Sequence, residues 1–247
     1  MEKQDRVFSQ AELAKLITSV ENGKTNIEKL KADINTSDKQ SFVIGITGPP
    51  GVGKSTIINL IIKKFRELNK KVGVLAIDPT SILTGGALLG DRIRMRFNSD
   101  DHVFIRSLAT RGKLGGLGEN TNRIVELFRL AGFEIIIVET VGVGQTETDI
   151  MKISDIIITI TSPAHGDEIQ MMKAGILELS DIIILNKSDF KGSETVYKNL
   201  IRLAEILPRK GWKVPVIKMV AKEREGFEQF FNALIKYRDN ITEKKDG

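Results

Sequence analysis

An apolar run, FVIGIT at 42–47, leads directly into Gly48-Pro49-Pro50-Gly51-Val52-Gly53-Lys54-Ser55, which matches G-x-x-x-x-G-K-[ST]. Small residues at this spacing let successive backbone N–H groups point into one loop and wrap a β-phosphate. The helical pattern that follows over 55–68 adds the positive end of its dipole at the same place. Lys54 is expected to bridge the β- and γ-phosphates, and the Ser55 hydroxyl to take a place on Mg²⁺, with Thr56 completing the loop. A nucleotide is therefore the expected ligand. Position 49 is Pro, so the second lysine of dimeric partition-type ATPases is absent, which argues against that class.

A second signature closes the run DIIILNK: Asn186-Lys187-Ser188-Asp189, or N-K-x-D, at the carboxyl end of an expected strand. A carboxylate there accepts two hydrogen bonds from guanine N1–H and N2–H₂, whereas adenine leaves it unpaired. Charge-assisted bonds of about 1.5–3 kcal/mol each make a strong guanine preference reasonable. The stem of Lys187 is expected to stack along the base, and Val220-Ala221-Lys222 to bring a backbone N–H toward guanine O6. GTP and GDP are thus the expected nucleotides.

Three acids sit where strands are expected to end or shortly after. Glu139 ends EIIIVET, Asp78 ends KVGVLAID, and Asp91 follows in DPTSILTGGALLGDRIRM. Singly, each reads as a strand-end cap or a solvated acid. Converging on one phosphate pocket, they read as a Mg²⁺ and water network. Gly142, three residues past Glu139, is placed to sense the γ-phosphate through its N–H. Gln145 either orients water or caps the next helix.

The elements that must position these groups are legible as a pattern. Apolar runs at 42–47, 71–78, 103–109, 134–140, 155–162, 181–187 and 214–220 alternate with helical stretches such as 55–68, 121–132 and 167–179. Strands apolar on both faces, separated by helices, predict an α/β fold with a mainly parallel central sheet and helices on both faces. Such sheets bind ligands beyond the carboxyl ends of their strands, where every motif above falls. Residues 1–40 are polar and helix-prone, with a capping box at Ser9 and Glu12 and a second short helix over 26–34. They are expected to form an N-terminal helical extension, with 41–247 as the nucleotide-binding domain.

Composition narrows the classes further. The 247 residues contain no Cys and only His102 and His165, which excludes a disulfide framework and leaves too few ligands for a soft-metal carrier. No apolar run approaches a membrane span, and the start lacks a signal-peptide core, so the expected location is cytoplasmic. The +5 net charge comes from 37 basic and 32 acidic residues spread along the chain, which argues against nucleic acid as a partner.

Taken together, GPPGVGKST, AIDPTSILTGGALLGDRIRM, RGKLGGLGENT, VETVGVGQTE, GDEIQMMKAGI and NKSD resemble the MeaB/ArgK type of P-loop GTPase. Proteins of that type accompany adenosylcobalamin-dependent acyl-CoA mutases such as methylmalonyl-CoA mutase. The resemblance covers about residues 41–190. It implies that Lys54 and Ser55 hold phosphate and Mg²⁺, and that Asp78, Asp91 and Glu139 form the metal and water network. It further implies that SPAHGDEIQMMK (162–173) is a switch loop reporting nucleotide state to the mutase, with Asp167 and Lys173 drawn toward the active site. From the residues alone, that stretch is only a helix start with acids at its N-terminus.

The implied function is a GTP-hydrolysing chaperone for the mutase, gating cofactor loading and protection, with an adenosyltransferase as a further partner. A P-loop kinase, the activity suggested by the ArgK name, and a nickel-insertion GTPase are the alternatives. Family members commonly continue into a helical dimerisation arm, whereas this chain stops at KKDG soon after the pattern at 226–238, so a homodimer is expected to lack that arm. Val220-Ala221-Lys222 also lacks the Ser often found before that Ala.

Overall fold

The computed structural model describes residues 8–33, 41–78, 97, 100–109, 117–140, 153–163, 177–207 and 211–243. Two helices open the chain. In α1 (Gln10–Glu21) the Ser9 hydroxyl accepts the Glu12 N–H at 3.2 Å, and the Glu12 carboxylate accepts the Ser9 N–H at 3.0 Å. This is the reciprocal cap expected from the sequence. Leu13, Ile17 and Val20 are its buried residues. In α2 (Ile27–Asp33), Asn26 Oδ1 accepts from the backbone of Glu28 and Lys29 at the helix start.

Strands then alternate with helices: β1 (Phe42–Thr47), α3 (Lys54–Glu67), β2 (Val72–Asp78), β3 (Val103–Ala109), α4 (Leu117–Leu130), β4 (Ile135–Glu139), β5 (Ile156–Thr161), β6 (Ile182–Asn186), α5 (Ser193–Ile206), β7 (Val216–Met219) and α6 (Phe227–Glu243). A single 3₁₀ turn, Leu177–Leu179, precedes β6. The strands form one seven-stranded parallel sheet in the order β3-β2-β4-β1-β5-β6-β7. Every residue of β1, β4, β5 and β6 is buried, as expected for strands covered on both faces.

Two elements differ from the sequence pattern. Helix α4 begins at Leu117, four residues before the expected Thr121, because Gly118 sits inside its first turn and glycine is a poor helix signal. Helix α5 was not singled out from sequence, although Val196, Leu200 and Ala204 recur at helical spacing. Of the pattern expected as a helix over 167–179, only Leu177–Leu179 lies among the described residues.

The chain folds as two compact units, residues 1–43 with 62–138 and residues 44–61 with 139–247. In the first, Phe104, Phe128 and Phe133 pack ring against ring with centroids 5.1–6.4 Å apart. Gly73 lies beneath them, where a Cβ would meet Phe128 at 2.8 Å. Helices α1 and α2 pack on α4 of this unit. Arg106 donates to Glu21 at 2.6 Å and Thr18 at 3.1 Å, and Lys31 pairs with Glu126 at 2.9 Å. The second unit is built on Leu177, Ile183, Leu185, Leu200, Ala204 and Val214. At its edge the Trp212 indole N–H donates to the Asp181 carbonyl at 2.8 Å and its ring meets Tyr237 edge-on.

Candidate functional site

The site belongs to the second unit and begins where β1 ends. Gly48, Gly51 and Gly53 all have positive φ, at 147°, 79° and 101°. The two outer ones also have no room for a side chain: a Cβ on Gly48 would lie 2.1 Å from the Ile160 carbonyl oxygen, and one on Gly53 2.3 Å from Asn186 Nδ2. These glycines are therefore required both by conformation and by close approach. Lys54 opens α3 and is 5% exposed; its ammonium donates to the loop's own carbonyls, Gly48 at 2.7 Å and Pro49 at 3.0 Å. Val52 is buried, Ser55 and Thr56 half-buried, and Pro50 and Gly51 exposed. A ring of backbone around an inward-turned ammonium, at a helix N-terminus, is chemistry suited to an anion such as phosphate.

The N-K-x-D segment is tied to this loop. Asn186, 3% exposed at the end of β6, donates through Nδ2 to the Val52 carbonyl at 2.7 Å. Its Oδ1 accepts the Ala221 N–H at 3.0 Å. One amide thus joins the phosphate loop to the turn after β7. Lys187 has φ 57° and sends its ammonium to the Gly51 carbonyl at 2.8 Å. Ser188 donates from both its N–H and its hydroxyl to the Met219 carbonyl. Asp189 is exposed. In the segment Val220-Ala221-Lys222, the Val220 N–H donates to the Glu225 carbonyl and the Ala221 N–H to Asn186 Oδ1.

Glu139 ends β4 and is completely buried, and the next N–H, that of Thr140, donates to the Ile46 carbonyl of β1 at 2.9 Å. Around this strand end the hydroxyls of Thr47, Thr140, Thr161 and Ser162 are all buried and find no hydrogen-bond partner among the described residues. Each such group costs about 1–3 kcal/mol in desolvation when unpaired. Sequence reading gave none of these four hydroxyls a role of its own, although Ser162 opens the expected switch loop. Their signal is a hydroxyl at the carboxyl end of a run made mostly of Ile, Val and Phe: FVIGIT, EIIIVET and DIIITITS.

The structure thus gathers Gly48 through Ser55, Asn186, Lys187 and Ala221 by direct contact. Ser55 and Glu139 offer the hard oxygen donors that Mg²⁺ prefers, which fits such an ion. No group of three or more acids or histidines assembles among the described residues. Asp78 ends β2. Asp91, Gly142, Gln145, Asp167 and Lys173 lie outside the described residues.

A parallel sheet whose strand β1 feeds a glycine-walled, lysine-bearing loop into a helix defines a P-loop nucleotide-binding protein. Residues 13–246 match the family model described as methylmalonyl-CoA mutase-associated GTPase MeaB, and the chain belongs to that family of P-loop GTPases. It is 44% identical over 231 residues to a Pyrococcus abyssi protein named a GTPase, covering 92% of this chain and 71% of that one. It is 38% identical over 216 residues to the mitochondrial methylmalonic aciduria type A homolog of Caenorhabditis elegans, covering 85% of this chain and 54% of the worm protein. The crystal structure of a LAO/AO transport system kinase superposes with a TM-score of 0.72 at 26% identity, covering 95% of this chain and 72% of that one. Among the described residues, no helix is long and apolar enough to cross a membrane.

Proposed function

We propose that this GTPase is a chaperone for an adenosylcobalamin-dependent acyl-CoA mutase of the methylmalonyl-CoA mutase type, gating cofactor loading and protection, with an adenosyltransferase as a further partner. The observation that carries the nucleotide part is the Asn186 amide, which ties the phosphate loop to the base-recognition turn. A nucleotide held at both ends by one braced unit is oriented before any chemistry starts, and in phosphoryl transfer positioning is most of the catalysis. The partner part rests on membership of a family described as mutase-associated.

In this reading residues 41–247 form the GTPase domain and 1–40 a helical extension, working in the cytoplasm. Gly48 through Thr56 wrap the phosphates, and Lys54 turns from its loop carbonyls to the β- and γ-oxygens. Asp189 selects guanine, Lys187 stacks along the base, and Val220-Ala221-Lys222 brings a backbone N–H to O6. Ser55, Asp78, Asp91 and Glu139 would hold Mg²⁺, which would supply neutralisation of the charge on the phosphate oxygens. Gln145 orients the attacking water, Gly142 senses the γ-phosphate, and Asp167 and Lys173 carry the nucleotide state to the mutase.

The test is turnover of GTP and of ATP, with and without an adenosylcobalamin-dependent methylmalonyl-CoA mutase. Acceleration of GTP hydrolysis alone supports both base choice and partner. GTP hydrolysis that the mutase leaves unchanged overturns the chaperone role. Equal use of ATP overturns the role of Asp189, and phosphate recovered on an added small-molecule acceptor supports a kinase, the activity in the name of the 26%-identical structure.

A further inference from the structure

The four hydroxyls around Glu139 call for a role. They stand at three adjoining strand ends in the order β4-β1-β5: Thr140 just past β4, Thr47 at the end of β1, and Thr161 with Ser162 at the end of β5. Each is at most 3% exposed. The geometry ties them to the phosphate loop. Thr47 is covalently the residue before Gly48, and Gly48 is packed so closely on Ile160, the residue before Thr161, that no Cβ fits between them. The Thr140 N–H is fixed to β1 beside Thr47.

A contrast within the same strand sharpens the point. Thr159, two residues before Thr161 in β5, is also fully buried, and its hydroxyl is paired with that of Ser180 at 2.5 Å. Among the described residues Thr121 and Ser154 also carry unpaired buried hydroxyls, each by itself in the chain, whereas Thr47, Thr140, Thr161 and Ser162 stand together on adjoining strand ends beside the loop. Valine has the same shape as threonine and is at home in a strand, so nothing in packing demands the hydroxyls.

We propose that Thr47, Thr140, Thr161 and Ser162 are positioning residues for GTP hydrolysis. Their hydroxyls donate, directly or through a bridging water, to the Glu139 carboxylate and to the phosphate-loop end of the site once nucleotide is bound, and so fix the carboxylate's orientation. No covalent step is assigned to them. The inference rests on the reading of Glu139 as part of the metal and water network.

The test replaces Thr47 and Thr140 by Val, singly and together, and Ser162 by Ala, with Thr140→Ser as the conservative control. The expected result for the Val and Ala variants is a melting temperature at or above the parent's, GDP affinity within about twofold, and kcat lower by about ten- to a hundredfold with KM little changed. Thr140→Ser is expected to recover most of the rate, because the hydroxyl returns. A second readout is the rise in melting temperature on binding a non-hydrolysable GTP analogue with Mg²⁺, which is expected to shrink in the Val variants while the rise with GDP alone persists. Unchanged kcat together with raised melting temperature overturns the proposal, since idle buried hydroxyls are relieved by such replacements. Should Thr47→Val fail to fold, Ser162→Ala and the Thr140 pair decide the matter. Glu139→Gln separates this inference from the reading beneath it: a variant that keeps full turnover removes that reading, whereas loss in Glu139→Gln with none in the hydroxyl variants removes only the hydroxyls.

Discussion

The N-terminal helices of the first unit and the phosphate loop of the second are held by different physics. Helix α1 is attached by three buried apolar side chains, Leu13, Ile17 and Val20, and by polar contacts at the margin, among them Arg106 with Glu21 and Gln10 reaching the Asp100 and Val103 carbonyls at 3.5 Å. Its polar contacts are individually weak and replaceable. The phosphate loop relies instead on one buried amide and on glycines with no space beside them. Apolar and ionic attachment gives way in increments, whereas a steric and hydrogen-bonded cradle fails as a whole when one atom is added.

The sharpest way to break this contrast is Gly53→Ala. Strain at a φ of 101° costs about 1–3 kcal/mol, and displacing Asn186 from the Val52 carbonyl costs about as much again. Titration with fluorescent GDP should show affinity lower by about 100-fold or more. Near-parental affinity would mean that the cradle yields as easily as the helix attachment.

On the other side, Ile17→Ala removes a fully buried side chain from α1 and should destabilise the protein by about 2–5 kcal/mol in urea unfolding. GDP affinity of the folded protein should stay within about twofold, since Ile17 belongs to the first unit and the phosphate loop to the second. A large loss of affinity would collapse the distinction between the two regions.

Acid titration acts on the first unit. Burial pushes the Glu126 carboxyl up, but the Lys31 hydrogen bond and the Arg129 charge outweigh it, and the group ends below its usual range. Asp100 behaves likewise: burial raises it, while the Arg66 hydrogen bond and the His102 N–H bring it down overall. A carboxylate whose folded pKa is depressed contributes stability that is present above its unfolded value and is lost as pH falls through the folded one. Melting temperature should therefore fall below about pH 4.5, and Glu126→Gln should flatten that limb of the curve. An unchanged slope would show that the α2 to α4 contact carries no charge-dependent stability. At the alkaline end the sign reverses for Lys31, raised by its Glu126 hydrogen bond despite burial, whose stabilisation is lost only as pH rises through its elevated folded value.

The smallest effect is expected from Glu21→Gln. Its partner Arg106 is about a quarter exposed, so the pair is worth no more than about 1 kcal/mol and should fade in 1 M salt. Thermal melts of parent and variant at low and high salt measure this, and a loss that salt does not diminish would point to packing of the two side chains in place of their charges.

Much of the molecule was written in local patterns. Continuous apolar runs had to become strands buried on both faces, because backbone polar groups in such segments are satisfied only in a sheet. The loop G-P-P-G-V-G-K-S had to turn through positive φ, because only glycine does so without strain, and N-K-x-D marked its strand end by its spacing from an apolar run. The cap at Ser9 and Glu12 was equally local, since both bonds close within one helical turn.

Tertiary structure decided what depends on residues distant along the chain. Only the parallel register of β6 beside β5 and β7 brings Asn186 under Val52 and Ala221, and no local signal says that this one amide spans both. Gly48 and Gly53 read as turn formers, but the closeness of Ile160 and Asn186 is what forbids a side chain there. The same holds for the hydroxyls: in sequence Thr47, Thr140, Thr161 and Ser162 are ordinary strand residues, and Thr159 is indistinguishable from them. Whether a buried hydroxyl finds an acceptor is set by which strands lie side by side, a property of the folded sheet that no window of neighbouring residues contains.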